Sequence, residues 1–255
     1  MKSPLLSLGL ALWLAPLTAS AATVLFSHQG STDPTTEGWT RNYTTTTVVG
    51  SAYDDDGTPV WKVYDPGNAS GGTGLYYSAT MNSTVLDTAM TSGWELSATI
   101  SIPTDDPNSN IAWPTNGNTW LGIIVNESPG VRRYWGLVFG RAANGDTIVS
   151  INGYVGGASK TLAPGYYDYS MVYDPVTKLV SVYVDGELWK SDFNGLTTGT
   201  GSNSVYWGDN SAQSSAITPR SAYYESVQFT IAPEPSRLLL LGLGLLALGG
   251  RRRKK

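Results

Sequence analysis

Between residues 23 and 231 the apolar positions alternate with polar ones in short runs, and no stretch there repeats them at helical period. Alternation at period two marks a strand with one buried face. The pattern is clearest over residues 166–192, where Tyr167, Tyr169, Met171 and Tyr173 are interleaved with other residues up to the turn Asp174-Pro175-Val176-Thr177. A second strand over 178–184 meets Asp185-Gly186, a dipeptide suited to the left-handed positions of a two-residue hairpin, and a third follows over 187–192. These three predict an antiparallel meander.

The same alternation predicts strands at 23–27, 60–64, 74–78, 94–102, 120–126, 133–140, 147–154, 204–208 and 223–231. Twenty-nine glycines and fourteen prolines supply turns between them. About a dozen strands in one body must each bury a face and hide its edges, which stacking into two sheets achieves. The predicted fold is all-β, a two-sheet antiparallel jelly-roll sandwich over residues 22–232.

Both ends of the chain break this pattern. Lys2 is followed by an apolar run over 5–17 and then by Ala19-Ser20-Ala21, the order of a signal peptide (residues 1–21) with its cleavage site. Cleavage after Ala21 leaves Ala22 as the first residue of the exported chain. At the other end Pro233, Glu234, Pro235 and Ser236 precede Arg237, an apolar run over 238–250 and the basic cluster Arg251-Arg252-Arg253-Lys254-Lys255. A helix of that run spans only ~20 Å at 1.5 Å per residue, short of the ~30 Å hydrocarbon core. Gly242, Gly244, Gly249 and Gly250 weaken it further. Basic residues beside a membrane segment stay on the cytoplasmic side, so the body lies outside.

That order of tripeptide, short hydrophobic helix and basic cluster resembles the PEP-CTERM sorting tail of Gram-negative bacteria. The resemblance implies an exosortase as processing partner and a transient inner-membrane anchor, with Pro233 to Ser236 as the sorting motif. It also implies release to the cell surface or extracellular matrix, in a setting of exopolysaccharide production.

Removing both ends leaves nine basic and nineteen acidic residues, a net charge near −10. Such a surface repels nucleic acid and anionic lipid, so neither is an expected partner of the body. There is no cysteine, so export brings no disulfide, thiol nucleophile or thiolate metal site.

A second resemblance rests on the segment from Val172-Tyr173-Asp174-Pro175 through Val184-Asp185-Gly186-Glu187-Leu188, on Val205-Tyr206-Trp207-Gly208-Asp209-Asn210, and on Tyr223-Tyr224-Glu225-Ser226-Val227. Together these look like the concanavalin A-like, laminin G-like jelly roll. The likeness implies two curved sheets with the first and last strands side by side, here 24–27 and 226–231. The tail would then begin at the surface, accessible to a protease from Ala232.

Catalytic residues are scarce. His28 is the single histidine and is read as an edge or turn residue closing the first strand. Glu37, Glu95, Glu127, Glu187 and Glu225 are scattered one to a segment, without the paired-acid spacing along one strand that jelly-roll glycosidases use. No catalytic residue is assigned. Asp54-Asp55-Asp56-Gly57 and Asp105-Asp106-Pro107-Asn108 are the acidic clusters that calcium would select, yet Gly57, Pro59 and Pro107 make both read as solvated turns. No metal ligand or other cofactor is assigned, with a structural calcium at one of these clusters left as the alternative. Nine tryptophans and fifteen tyrosines suit a sandwich core and also suit sugar stacking; Trp113 and the pair Tyr134-Trp135 are the first candidates for a sugar contact. The expected function is that of an exported, non-catalytic adhesion or glycan-binding module. The alternatives are a structural matrix protein without ligand and a polysaccharide hydrolase.

Overall fold

The computed structural model describes residues 22–43, 49–65, 74–103, 119–128, 131–142, 144–151, 158–198, 202–209 and 220–231. The signal segment with Ala19 and Ala21, the sorting motif Pro233 to Ser236, Trp113 and the Asp105 to Asn108 cluster lie outside these residues.

Among the described residues sixteen strands form two antiparallel sheets. They are β1 (Thr23–Gln29), β2 (Thr40–Tyr43), β3 (Val49–Asp55), β4 (Thr58–Asp65), β5 (Leu75–Thr80), β6 (Trp94–Ser101), β7 (Thr119–Ser128) and β8 (Val131–Arg141), then β9 (Thr147–Ile151), β10 (Ser159–Leu162), β11 (Tyr166–Asp174), β12 (Leu179–Val184), β13 (Glu187–Phe193), β14 (Leu196–Thr198), β15 (Ser204–Asp209) and β16 (Arg220–Ile231). One sheet runs β13-β12-β11-β6-β16-β4-β3 with β1 also on β16; the other runs β10-β9-β8-β7-β15-β5-β2 with β14 also on β8. All twelve strands expected from alternation are present. The short strands β2, β10 and β14, and β3 with its exposed residues, carry too few buried positions to betray a period.

The pleat sorts each strand into an inner and an outer set. On β6, Trp94, Leu96, Ala98 and Ile100 are buried while Glu95, Ser97 and Thr99 face outward. Leu121, Ile123 and Val125 of β7 meet them from the other sheet, with Trp135, Leu137 and Phe139 of β8. The last strand changes parity partway. Ala222 and Tyr224 point into the core, then a register shift between Tyr224 and Ser226 brings Val227, Phe229 and Ile231 inward instead. This bulge at Glu225 also divides the strand's other side, where Arg220 to Tyr224 pair with β4 and Ser226 to Ile231 pair with β1. First and last strands are therefore neighbours, as the jelly-roll resemblance implies.

Among the described residues the longest departure from the all-strand expectation is a helix. Residues Ser83–Ser92 form an α-helix, α1. Asn82 caps it through Oδ1, which accepts from Val85 N at 2.9 Å, and Gly93 at φ 94° ends it. Leu86 and Ala89 are its buried stripe, with Val85 and Met90 packed beside them. So brief a stripe, set among Thr84, Thr88 and Thr91, gives almost no periodic signal. Thr88 and Thr91 return their hydroxyls to the carbonyls of Thr84 and Asp87 at 2.8 and 2.7 Å.

Two hairpins close as their dipeptides require. Asp185 and Gly186 take φ 50° and 75°, and Asp56 and Gly57 take φ 50° and 90°. Both are two-residue turns with left-handed backbone at each position.

Candidate functional site

The β3–β4 hairpin lies beside the end of β6 and the start of β11, and a cleft of about 470 Å³ opens there between Tyr53, Asp55, Asp56, Pro103 and Tyr166. Tyr166 stands opposite Ser101, which stands opposite Tyr223, so three strands of one sheet deliver this site. Tyr166 donates its phenol to Asp55 Oδ2 at 2.7 Å across 111 residues of sequence. Burial pushes the Tyr166 phenol well up, and the hydrogen bond to Asp55 and the charge of Glu225 push the same way, so it stays a donor at any physiological pH.

Tyr53 is the cleft's exposed ring, 37 % accessible. It rests against buried Tyr223 with centroids 5.1 Å apart. The Lys62 ammonium sits 4.9 Å from the Tyr53 centroid, 5.4 Å from that of Tyr223 and 5.5 Å from that of Tyr64. A cation held over three rings restrains them before any ligand arrives. Asp54 accepts from Gly57 N at 2.6 Å, which fixes the turn that carries Asp55 and Asp56.

Further concavities lie elsewhere among the described residues. A cleft of about 670 Å³ beside α1 holds Leu86, Met90, Glu127, Arg133 and Lys178. Its guanidinium is committed to structure. Arg133 Nη2 donates to Glu127 Oε2 at 2.7 Å, and Nη1 to the Asn194 carbonyl at 2.9 Å. A shallower polar groove of about 320 Å³ lies over β6, β11 and β16, where Ser226 donates to Thr99 at 3.1 Å and Thr99 to Asp168 at 2.6 Å.

His28 lies on β1, which pairs with β16 alone, but it is neither in a turn nor exposed. Its ring is fully buried inside β1 and stacks on Trp207 with centroids 4.9 Å apart. Nδ1 lies 2.7 Å from Glu37 Oε2, while Gln29 N donates to Glu37 Oε1 at 3.1 Å. Burial lowers the His28 pKa and outweighs the opposing pull of Glu37. The pattern concealed this because Glu37 comes from a 3-10 turn (Pro34–Glu37) folded back under the strand.

The remaining sequence candidates separate. Trp135 is a core residue whose Nε1 donates to the Phe193 carbonyl at 3.2 Å, so it offers no ring to a ligand. Tyr134, on the opposite face, is nearly buried and stacks on Tyr206 at 6.0 Å. Glu187 is exposed just after its hairpin turn. Glu95 and Asp168, both in the polar groove, stand opposite Val172 and Thr99, so the register separates them by four residues, ~13 Å along the sheet. Among the described residues no group of three or more His, Asp or Glu side chains gathers as a metal site, and no helix is long and apolar enough to cross a membrane. Tyr53, Lys62 and Tyr166 had no signal as site residues in the sequence; of the cleft only the acids of the hairpin stood out.

The PEP-CTERM protein-sorting motif matches residues 232–254. That tail implies an exported, sorted protein processed by an exosortase. No curated protein sequence matches the chain. Among solved structures, a botulinum neurotoxin type C chain, described for cell entry dependent on two ganglioside molecules, is 13 % identical at a TM-score of 0.46, over 83 % of this chain and 48 % of that one. The chain thus spans about half the length of that neurotoxin chain. The Emp47p carbohydrate recognition domain is 11 % identical at 0.44, over 81 % and 95 % of the two chains. The alginate lyase Aly36B, solved with an alginate trisaccharide, is 9 % identical at 0.45, over 83 % and 98 %. These are likenesses of β-sandwich shape only.

Proposed function

We propose that this chain is a non-catalytic surface or matrix module of a Gram-negative bacterium, held briefly in the inner membrane by its tail, that binds polysaccharide in the Tyr53–Tyr166 cleft. The observation that carries the reading is the pairing of an exposed, restrained ring with a fixed acceptor. Tyr53 offers a flat apolar face, and Asp55, held by Tyr166, offers a carboxylate to sugar hydroxyls. An aromatic face beside a charged acceptor matches a pyranose, which has an apolar face and a hydroxyl rim. The cleft is open, as a contact with the middle of a long polymer requires.

The experiment is binding of the processed, exported protein to immobilised neutral, acidic and amino polysaccharides, with polymer length measured before and after. Tyr53→Ala should weaken binding about fivefold, roughly 1 kcal/mol, and the polymer should keep its length. Retention of no polysaccharide sinks the reading, and shortening of the polymer replaces it with the hydrolase.

A further inference from the structure

Among the described residues six strands have a single partner, and they are not equally protected: β14 is three residues long, and β1 on β16 shifts register between Val24 and Phe26. β13 carries Glu187, Lys190 and Asp192 and shifts register twice against β12. β10 and β2 are four residues each and carry Lys160 and Arg41. β3 is different. It is seven residues long, keeps unbroken register with β4 from Val49 to Asp55, and has no charge before Asp54. Short, bulged or charged edges resist a foreign strand, whereas a long regular one invites it. Val49, Ala52, Tyr53 and Asp54 are all exposed.

The hairpin settles which backbone groups are free to pair. Asp55 stands opposite Thr58 across the two-residue turn, and such a turn closes on a hydrogen-bonded pair. Alternation then turns the groups of Asp55, Tyr53, Ser51 and Val49 toward β4. Those of Asp54, Ala52 and Gly50 point outward from the sheet.

We infer that β3 pairs antiparallel with β3 of a second copy of this chain, about a two-fold axis at Ala52. In that register Ala52 faces Ala52 and Gly50 faces Asp54, giving about six inter-chain hydrogen bonds from the three outward residues of each copy. Ser51 faces Tyr53 and Val49 faces Asp55. Every carboxylate of one strand meets an uncharged residue of the other, so the segment is complementary to itself. This self-match commits the edge to a second copy, and an isologous contact of this kind closes at two. The net charge near −10 on each body opposes the contact, so association strengthens with added salt. The dimer stands whether or not the cleft takes polysaccharide; where it does, two clefts share one continuous sheet face.

The chain has no cysteine, so one introduced thiol is an unambiguous reporter. In the full chain held in detergent micelles, Ala52→Cys should oxidise to a covalent dimer, because facing residues of a hydrogen-bonded pair have Cα atoms ~5.5 Å apart, within disulfide reach. Ser191→Cys on β13 should stay uncrosslinked. Ala52→Pro removes one outward N–H and leaves the ladder to β4, so it should convert the dimer to a monomer that still unfolds cooperatively. A monomeric wild-type chain by native mass, crosslinking of Ala52→Cys no faster than Ser191→Cys, or a dimer that survives Ala52→Pro overturns the inference.

Discussion

Thr23 and Ile231 stand opposite one another in the register of β1 and β16. The first strand of the exported chain and the last strand before the sorting tail therefore begin and end at one corner of the sandwich. Ala22, the residue expected to follow signal cleavage, is exposed beside that corner. The candidate cleft lies far from it, since Tyr223 is eight residues up β16 from Ile231, ~26 Å along the strand. A chain held at a membrane by either end thus keeps its cleft well clear of that end.

Glu234 lies three residues beyond the last strand, so Glu234→Ala should leave the melting temperature unchanged. The same change should block sorting. Intact mass is the measurement: the variant should retain Arg251 to Lys255 in the membrane fraction, and the wild-type exported protein should lack them.

His28 makes stability depend on pH with a definite sign. Its folded pKa is lowered by burial, so between that value and the unfolded value near 6.5 the unfolded chain binds the extra proton. Stability is fully present above about pH 6.5 and is lost as pH falls toward the folded pKa, by at most ~1.4 kcal/mol for each unit of depression. Urea midpoints at pH 7.5 and 5.5 should show the loss. As His28 is the single histidine, His28→Phe should flatten that interval.

Gly208 tolerates no side chain. Its φ is +110°, and an added Cβ would approach the Leu75 carbonyl oxygen at 2.7 Å and the Tyr76 Cα at 2.9 Å, both backbone of the paired strand. Its N–H also donates to the buried Tyr224 hydroxyl at 3.0 Å. Gly208→Ala should cost about 2 to 4 kcal/mol through backbone strain and overpacking. The denaturant midpoint reports this, with the slope unchanged if only stability moves.

Lys62 holds its charge over the rings of Tyr53, Tyr64 and Tyr223. Lys62→Gln should lower stability by about 1 kcal/mol through loss of the cation–π contacts. It should also weaken polysaccharide binding less than Tyr53→Ala does, because Lys62 restrains the contacting ring without being that ring. Paired unfolding and binding titrations separate the two effects.

The sequence by itself determined the class of fold and that the chain is exported and sorted. Alternation located every strand with a buried face, Asp185-Gly186 located a turn, and residues 233–255 carried the sorting signal, because each of these is written in neighbouring residues. It was silent on α1, whose buried stripe is short, and on β3, whose residues are mostly exposed. Only the tertiary structure decided what became of single side chains. The one-residue bulge at Glu225 exchanges the two faces of β16, the turn carrying Glu37 folds back onto His28, and Tyr166 meets Asp55 from 111 residues away. Period two tells which residues share a face, but which face is buried, and what lies across the sheet, depends on register between strands distant in the chain.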